Sequence, residues 1–324
     1  MLRNRTTLIC FTSLLCLILF TSCEQTSPPA AVPTKTVSAG RDKSGPYTPT
    51  PVMTPTLTMS GTPDTTPTHY TSHVILSRVG RPDDLVFDPQ GHLVFSDYYN
   101  GTVSRVNANG SVTVLASGIA GPEGIVFLSD GTMIIAEQRT NRILSLAPGA
   151  RSPTVLRTLP GTPGGPPCKD GVDGIALDPI TKTLIVSDSP TGDVYRMSLD
   201  GQTLTLLASG IPRPVGAAVD AYGTVYIADE CGGSLWTIAT NGKTTRMRGF
   251  GKLDDVAFDS HGNILVIDLL PSIHALIRIR RSTGRRETLA SRGFIEPQGL
   301  AVDKNDDIFV ADDYANIIVE YKPA

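Results

Sequence analysis

Two short motifs recur six times between residues 82 and 312, and that repetition restricts the chain to folds made from one small unit copied in series. The first motif is an apolar run entered through Gly or Asp and usually closed by Asp. It reads PDDLVFD from residue 82, PEGIVFL from 122, VDGIALD from 172, PVGAAVD from 214, LDDVAFD from 253 and PQGLAVD from 297. The second is an apolar run ending in an acid: LVFSD at Asp97, MIIAE at Glu137, LIVSD at Asp188, VYIAD at Asp229, LVID at Asp268 and IFVAD at Asp312. Turns such as PQGH, SDG, AYG and SHGN join the two, which is the signal of a tight antiparallel hairpin. A third strand follows in every unit, from TVSRVNANG in the first to IIVEYKPA in the last, and a fourth in the first five. Four strands in a period of roughly 40–45 residues are the signature of a β-propeller blade, so the chain is expected to form an all-β, six-bladed propeller.

The sixth unit stops at Ala324 before a fourth strand, which would leave an open sheet edge. Residues 73–79, His73 to Val79, run into Gly80-Arg81-Pro82-Asp83 as the fourth strand of the fifth unit runs into Gly293 and its successors. This N-terminal strand is therefore predicted to complete the last blade, making residues 73–324 one closed ring.

Ahead of it, residues 1–22 read as an export signal: Arg3 and Arg5, an apolar run from Leu14 to Phe20, then small polar residues. The run is too short for a spanning helix, which takes about 20 apolar residues. Residues 23–72 form a Thr/Pro-rich segment with too little apolar surface to offset its ordering entropy, hence a solvated stalk. Leu19-Phe20-Thr21-Ser22-Cys23 resembles the lipobox of bacterial lipoproteins, with Phe20 where that motif prefers an aliphatic residue. The resemblance implies that Cys23 is lipidated and anchors the exported chain on the outer face of the bacterial cytoplasmic membrane, with simple secretion as the alternative. Cys10 and Cys16 leave with the signal, so Cys168 and Cys231 remain, and an oxidising compartment suggests one disulfide between them. A net charge of -3, a pI near 6.0 and 18% charged residues give no cationic field. That argues against a nucleic-acid partner and leaves the lipid as the only membrane contact of an expected monomer.

In a propeller the innermost strands line the axis, so the same position in six copies forms a ring at one mouth. That ring is Asp83, Glu123, Asp173, Val215, Asp254 and Gln298. Converging carboxylates repel unless a cation offsets them, and mixed carboxylate and amide oxygens suit Ca²⁺. Asp83, Glu123, Asp173, Asp254 and Gln298 are thus candidate metal ligands. The same acids equally suit strand-end and loop hydrogen bonding, and that alternative stays open. The acids closing the second motif read as scaffold for the following turn. Cys168 and Cys231 fall in loops on the ring's face. His92 and His261 fall on the opposite face, and His274 is the histidine placed on the ring side as a candidate general base.

PDDLVFD with LVFSDYYNGTVSRV, and VDGIALDPITKTLIVSDSPTGDVYRMSLDG, resemble the superfamily that joins gluconolactonase, regucalcin (senescence marker protein) and the luciferin-regenerating enzyme. They also resemble NHL repeats. The first resemblance implies an axial divalent cation, often calcium, held by a Glu, two Asn and an Asp at the starts of innermost strands, with an acid acting as base. Matched blade for blade, Asp83 stands for the Glu, Asp173 and Val215 for the Asn residues and Asp254 for the Asp, while Glu123 and Gln298 offer a rearranged set. The implied function is metal-dependent hydrolysis of lactones or related esters, with Asp254 activating water. The NHL resemblance implies the alternative: a non-catalytic binding or scaffold protein of the cell envelope. The partner is accordingly a small-molecule substrate or an envelope ligand.

Overall fold

The computed structural model describes residues 67–165 and 167–324, so the predicted signal, Cys23 and the stalk up to residue 66 lie outside the described residues. Six antiparallel four-stranded sheets follow one another along the chain as the blades of a propeller. Blade one comprises Pro82–Phe87, Leu93–Asp97, Thr102–Val106 and Val112–Ser117, and blade two Pro122–Phe127, Met133–Glu137, Arg142–Leu146 and Thr154–Thr158. Blade three comprises Ile175–Asp178, Thr183–Asp188, Asp193–Met197 and Leu204–Ala208. Blade four comprises Pro214–Val219, Val225–Asp229, Ser234–Ile238 and Thr244–Arg248, and blade five Leu253–Phe258, Ile264–Asp268, Ala275–Ile279 and Arg286–Ala290. Pro297–Val302, Ile308–Asp312 and Ile317–Pro323 form the inner part of blade six. The one helical element among the described residues is a short 3₁₀ turn, Gln138–Thr140.

Tyr70–Ser77 pairs antiparallel with Ile317–Pro323 and forms the outer strand of blade six. It starts at Tyr70, so residues 70–72, assigned above to the stalk, belong to the sheet. The physical reason is Arg278, fully buried in blade five. It pairs with Glu287 at 2.7 Å and donates from Nη2 to the Pro67 carbonyl at 2.5 Å and from Nη1 to the Tyr70 hydroxyl at 3.3 Å.

The second strand of each blade is buried along its length, apart from the partly buried Thr183 that opens the one in blade three. That explains why these strands read as continuous apolar runs, not as alternating ones: both faces of each sheet are covered. The apolar side chains form six clusters, one between each pair of neighbouring blades. Val94, Val103 and Ile125 belong to the cluster between blades one and two, and Leu76, Phe95 and Phe309 to the one that closes blade six onto blade one. Adhesion of blade to blade therefore supplies the hydrophobic stabilisation, and the axis is left open.

The innermost strands carry a register shift near their start in five blades, between Pro82 and Leu85, Pro122 and Ile125, Pro214 and Ala217, Leu253 and Val256, and Pro297 and Leu300. Such a bulge turns successive side chains away from the ladder, here towards the axis except at Val215 of blade four. The first bulge residue gives the predicted ring. The second is Gly in four blades and Asp84 or Asp255 in the others. At Gly299 a Cβ would stand 2.4 Å from the Asp83 carbonyl oxygen, so neighbouring strands meet there too closely for a side chain. Asp84 and Asp255 instead bridge blades, accepting the Ile125 N–H at 2.7 Å and the Leu300 N–H at 2.8 Å.

Candidate functional site at the axial mouth

The axial space is a pocket of about 190 Å³ at the mouth where the innermost strands begin. It narrows to about 10 Å³ among Asp84, Asp255 and the ring glycines. Beyond that neck it widens to about 220 Å³ between aliphatic walls that include Leu85, Ile125, Ile175, Val256 and Leu300. The upper pocket is the polar one, and it gathers Asp83, Glu123, Asp173, Asp254 and Gln298 from five blades.

Three registers of the repeat build this mouth. Beside the ring itself, the residue after the second-strand acid points in from five blades, giving Tyr98, Gln138, Glu230, Leu269 and Asp313, while Ser189 of blade three instead donates to the Pro214 carbonyl. The residue just ahead of three innermost strands adds Arg213, Lys252 and Glu296. The second-strand acids hold this outer register in place. Asp229 accepts the Arg213 N–H at 3.2 Å, Asp268 the Lys252 N–H at 2.9 Å, and Asp312 the Glu296 N–H at 3.0 Å. Asp97 accepts the Arg81 N–H at 3.2 Å and Glu137 the Ala120 N–H at 2.9 Å. These acids are scaffold, as read from the sequence, but they fasten the incoming loop of their blade as well as the following turn.

Blade four departs from the others. Val215 is fully buried in the cluster between blades four and five and takes no part in the lining. Arg213, two residues earlier, fills that sector with a side chain 15% exposed. It pairs with Asp170 at 3.3 Å, Asp173 at 3.4 Å and Glu230, and Glu230 also meets Lys252 at 3.2 Å. On the other side, Gln138 donates from Nε2 to Glu123 at 2.8 Å and to Asp173 at 3.2 Å. Glu123 in turn is hydrogen-bonded to Asp83.

Burial pushes the Asp83 carboxyl up to about 7; the bond to Glu123 and the Arg213 charge lower it, while Asp173 and Asp313 add to the rise. Asp173 is raised by burial to about 6, with Arg213 as the main opposing influence. Glu123 and Asp254 are raised well above the ordinary carboxylate value, first by burial and then by the other ring carboxylates.

Tyr99 and Tyr314 form part of the rim, each half-exposed, with the Arg81 guanidinium 3.9 Å from both ring centres and paired to Asp313 at 2.8 Å. Cys168 and Cys231 are joined by a disulfide that ties the loop before blade three to the second turn of blade four. Each cysteine adjoins an Arg213 partner: Cys231 follows Glu230, and Cys168 lies two residues before Asp170.

His274 is not brought to the pocket. The loop after Asp268 runs from Leu269 to His274, two residues longer than the corresponding loops of the other blades, so Leu269 takes the lining position and His274 is carried on towards the third strand. Sequence reasoning missed Arg213, Gln138 and Glu230.

The oxygen donors gathered here have the chemistry of a hard-cation site, but their arrangement does not fit a divalent metal. Among the described residues no three His, Cys, Asp or Glu side chains converge to hold an ion. Asp173 faces a guanidinium, and Glu123 is occupied by Asp83 and Gln138. The predicted ligand set is present at one mouth, with Asp83, Glu123 and Asp173 drawn into hydrogen bonds and an ion pair and Asp254 and Gln298 lining the same pocket.

No protein-family model and no curated protein matches the chain. Its fold is similar to that of a gluconolactonase from Xanthomonas campestris, at 15% identity and a TM-score of 0.65, over 79% of this chain and 90% of that one. It is similar as well to a streptogramin B lyase, at 13% identity and a TM-score of 0.61, over 79% of this chain and 98% of that one. A virginiamycin B lyase from Staphylococcus aureus aligns at 16% identity and a TM-score of 0.58, over 74% and 79%. These likenesses show the shared six-bladed propeller fold.

Proposed function

We propose that this chain hydrolyses small lactones or related esters in the pocket at the axial mouth. The observation that carries the reading is the pairing, in one buried pocket, of a hydrogen-bonded carboxyl pair, Asp83 and Glu123, with a buried guanidinium, Arg213. Ester hydrolysis needs a proton acceptor for the attacking water, a positive group for the oxyanion and a proton donor for the leaving alkoxide. Asp83 takes a proton from water as its oxygen bonds to the carbonyl carbon. The tetrahedral oxyanion is stabilised by Arg213. The C–O ester bond then breaks, and the leaving oxygen takes its proton from a neighbouring carboxyl, Glu123 or Asp254, whose burial favours the protonated form. The product of a lactone is one hydroxy acid, with no group left on the protein. Asp254, the base expected from the sequence, lines the same pocket and serves here as a donor.

The test is a panel of sugar lactones, aliphatic lactones and aryl esters, followed by pH-stat with the full chain. Turnover above the uncatalysed rate for at least one class is expected. Saturable binding of panel members without turnover would favour the alternative, a recognition protein of the envelope.

The same proposal places the propeller outside the cytoplasmic membrane, held by Cys23. The disulfide supports it, since such bonds persist in oxidising compartments. Cells fed radiolabelled palmitate are expected to label the wild-type chain and not Cys23→Ser; equal labelling of both would overturn the assignment.

A further inference from the structure

We infer that Arg213 stands where a divalent cation would stand, so that the acid ring of this propeller is offset from within and takes up no calcium. The inference concerns the pocket of the proposed hydrolase but does not depend on turnover, because its readout is metal binding.

Three observations carry it. The first is position. Blade four offers no oxygen to the ring, since Val215 is turned into the core between blades, and the vacated sector is the one Arg213 enters. The second is partnership. The guanidinium meets Asp173 of the ring together with Asp170 and Glu230, carboxylates from two different blades, which is the work a bound cation would do. The third is fixity. The Arg213 N–H is held by Asp229 at 3.2 Å, and its carbonyl accepts the Glu230 N–H at 3.1 Å. The disulfide Cys168–Cys231 braces the two loops that carry Asp170 and Glu230. The charge therefore arrives on a clamped backbone.

A guanidinium does not lose its proton in a protein, so it cannot yield its place by neutralising as a lysine does. An incoming Ca²⁺ would have to share Asp173 with a fixed positive charge. Calcium also takes six to eight oxygens. Here Glu123 is engaged by Gln138 and Asp83, and Asp173 by Gln138 and Arg213.

The experiment is isothermal titration of the full chain with CaCl₂, MgCl₂ and ZnCl₂, with melting curves recorded with and without EDTA. The wild type is expected to give no binding heat and an unchanged melting temperature. Arg213→Asn removes the charge, releases three carboxylates from the guanidinium and adds an amide oxygen; it is expected to acquire a Ca²⁺-dependent rise in melting temperature, while Arg213→Lys does not. Stoichiometric Ca²⁺ binding by the wild type, or a fall in its melting temperature with EDTA, overturns the inference. So does a folded Arg213→Asn chain indifferent to calcium. Should that variant fail to fold, the wild-type titration decides alone.

Discussion

Glu123→Gln is expected to lower kcat/KM for the best lactone or ester by roughly 100- to 1,000-fold, within the range for loss of a positioned proton donor or acceptor. The substitution is close to isosteric, and the new amide can still donate to Asp83, so the pocket keeps its shape. What is lost is the proton Glu123 can release. Stability is expected to hold or rise, because burial and the neighbouring carboxylates disfavour the ionised form of Glu123 in the fold. Asp83→Asn is expected to be at least as damaging, since it removes the acceptor for the water proton. His274→Ala, outside the pocket, is expected to stay within about twofold, far from the effect of losing a general base. Steady-state kinetics beside melting curves check all three. Retention of more than about a tenth of the activity by Glu123→Gln would assign the proton donor to Asp254, and the same retention by Asp83→Asn as well would remove the carboxyl pair from the chemistry.

The fold was legible because its signal is periodic. Six copies of one motif reinforce one another, and the near-complete burial of the second strands makes them read as unbroken apolar runs. The ring was legible too, because the bulge after the strand's first residue falls at one place in five copies and Asp173 holds the same position ahead of blade three, so that Asp83, Glu123, Asp173, Asp254 and Gln298 share a column. The other two lining registers are equally regular in position. The residues after the second-strand acids are Tyr98, Gln138, Ser189, Glu230, Leu269 and Asp313; those ahead of the first strands include Arg81, Gly121, Arg213, Lys252 and Glu296. Neither column keeps one chemistry: the first mixes Tyr, Gln, Ser and Leu with two acids, and the second sets three cations, Arg81, Arg213 and Lys252, beside Gly121 and Glu296, so a search for one recurring type passes over them. Arg213 escaped for a further reason: attention to Val215 as a gap in the ring hides the side chain that fills the gap from two residues upstream. His274 was misplaced by loop length alone, a property that pattern reading assigns to a face without fixing how far a residue lies from the axis.

Replacing both cysteines, Cys168→Ser with Cys231→Ser, is expected to cost about 4 kcal/mol of stability, the chain-entropy value for a 63-residue separation. At 2–4 °C per kcal/mol for a domain of this size, the melting temperature falls by roughly 8–16 °C. The bond joins two successive blades near the axis, where the hydrophobic clusters that hold neighbouring blades together give way to polar loops. Few apolar contacts remain there to take over, so the loss should lie near the full value. A functional consequence follows from the same placement. Asp170 and Glu230 sit beside the two cysteines and are partners of Arg213, so the loosened loops release the guanidinium they hold. Assayed well below its melting temperature, the double variant is therefore expected to lose activity beyond what its folded fraction accounts for, and reduction of the wild type with dithiothreitol should reproduce that loss. A variant that melts within about 2 °C of the wild type would show that blade packing alone fixes these loops. A destabilised variant with undiminished activity per folded molecule would separate the disulfide from the Arg213 socket.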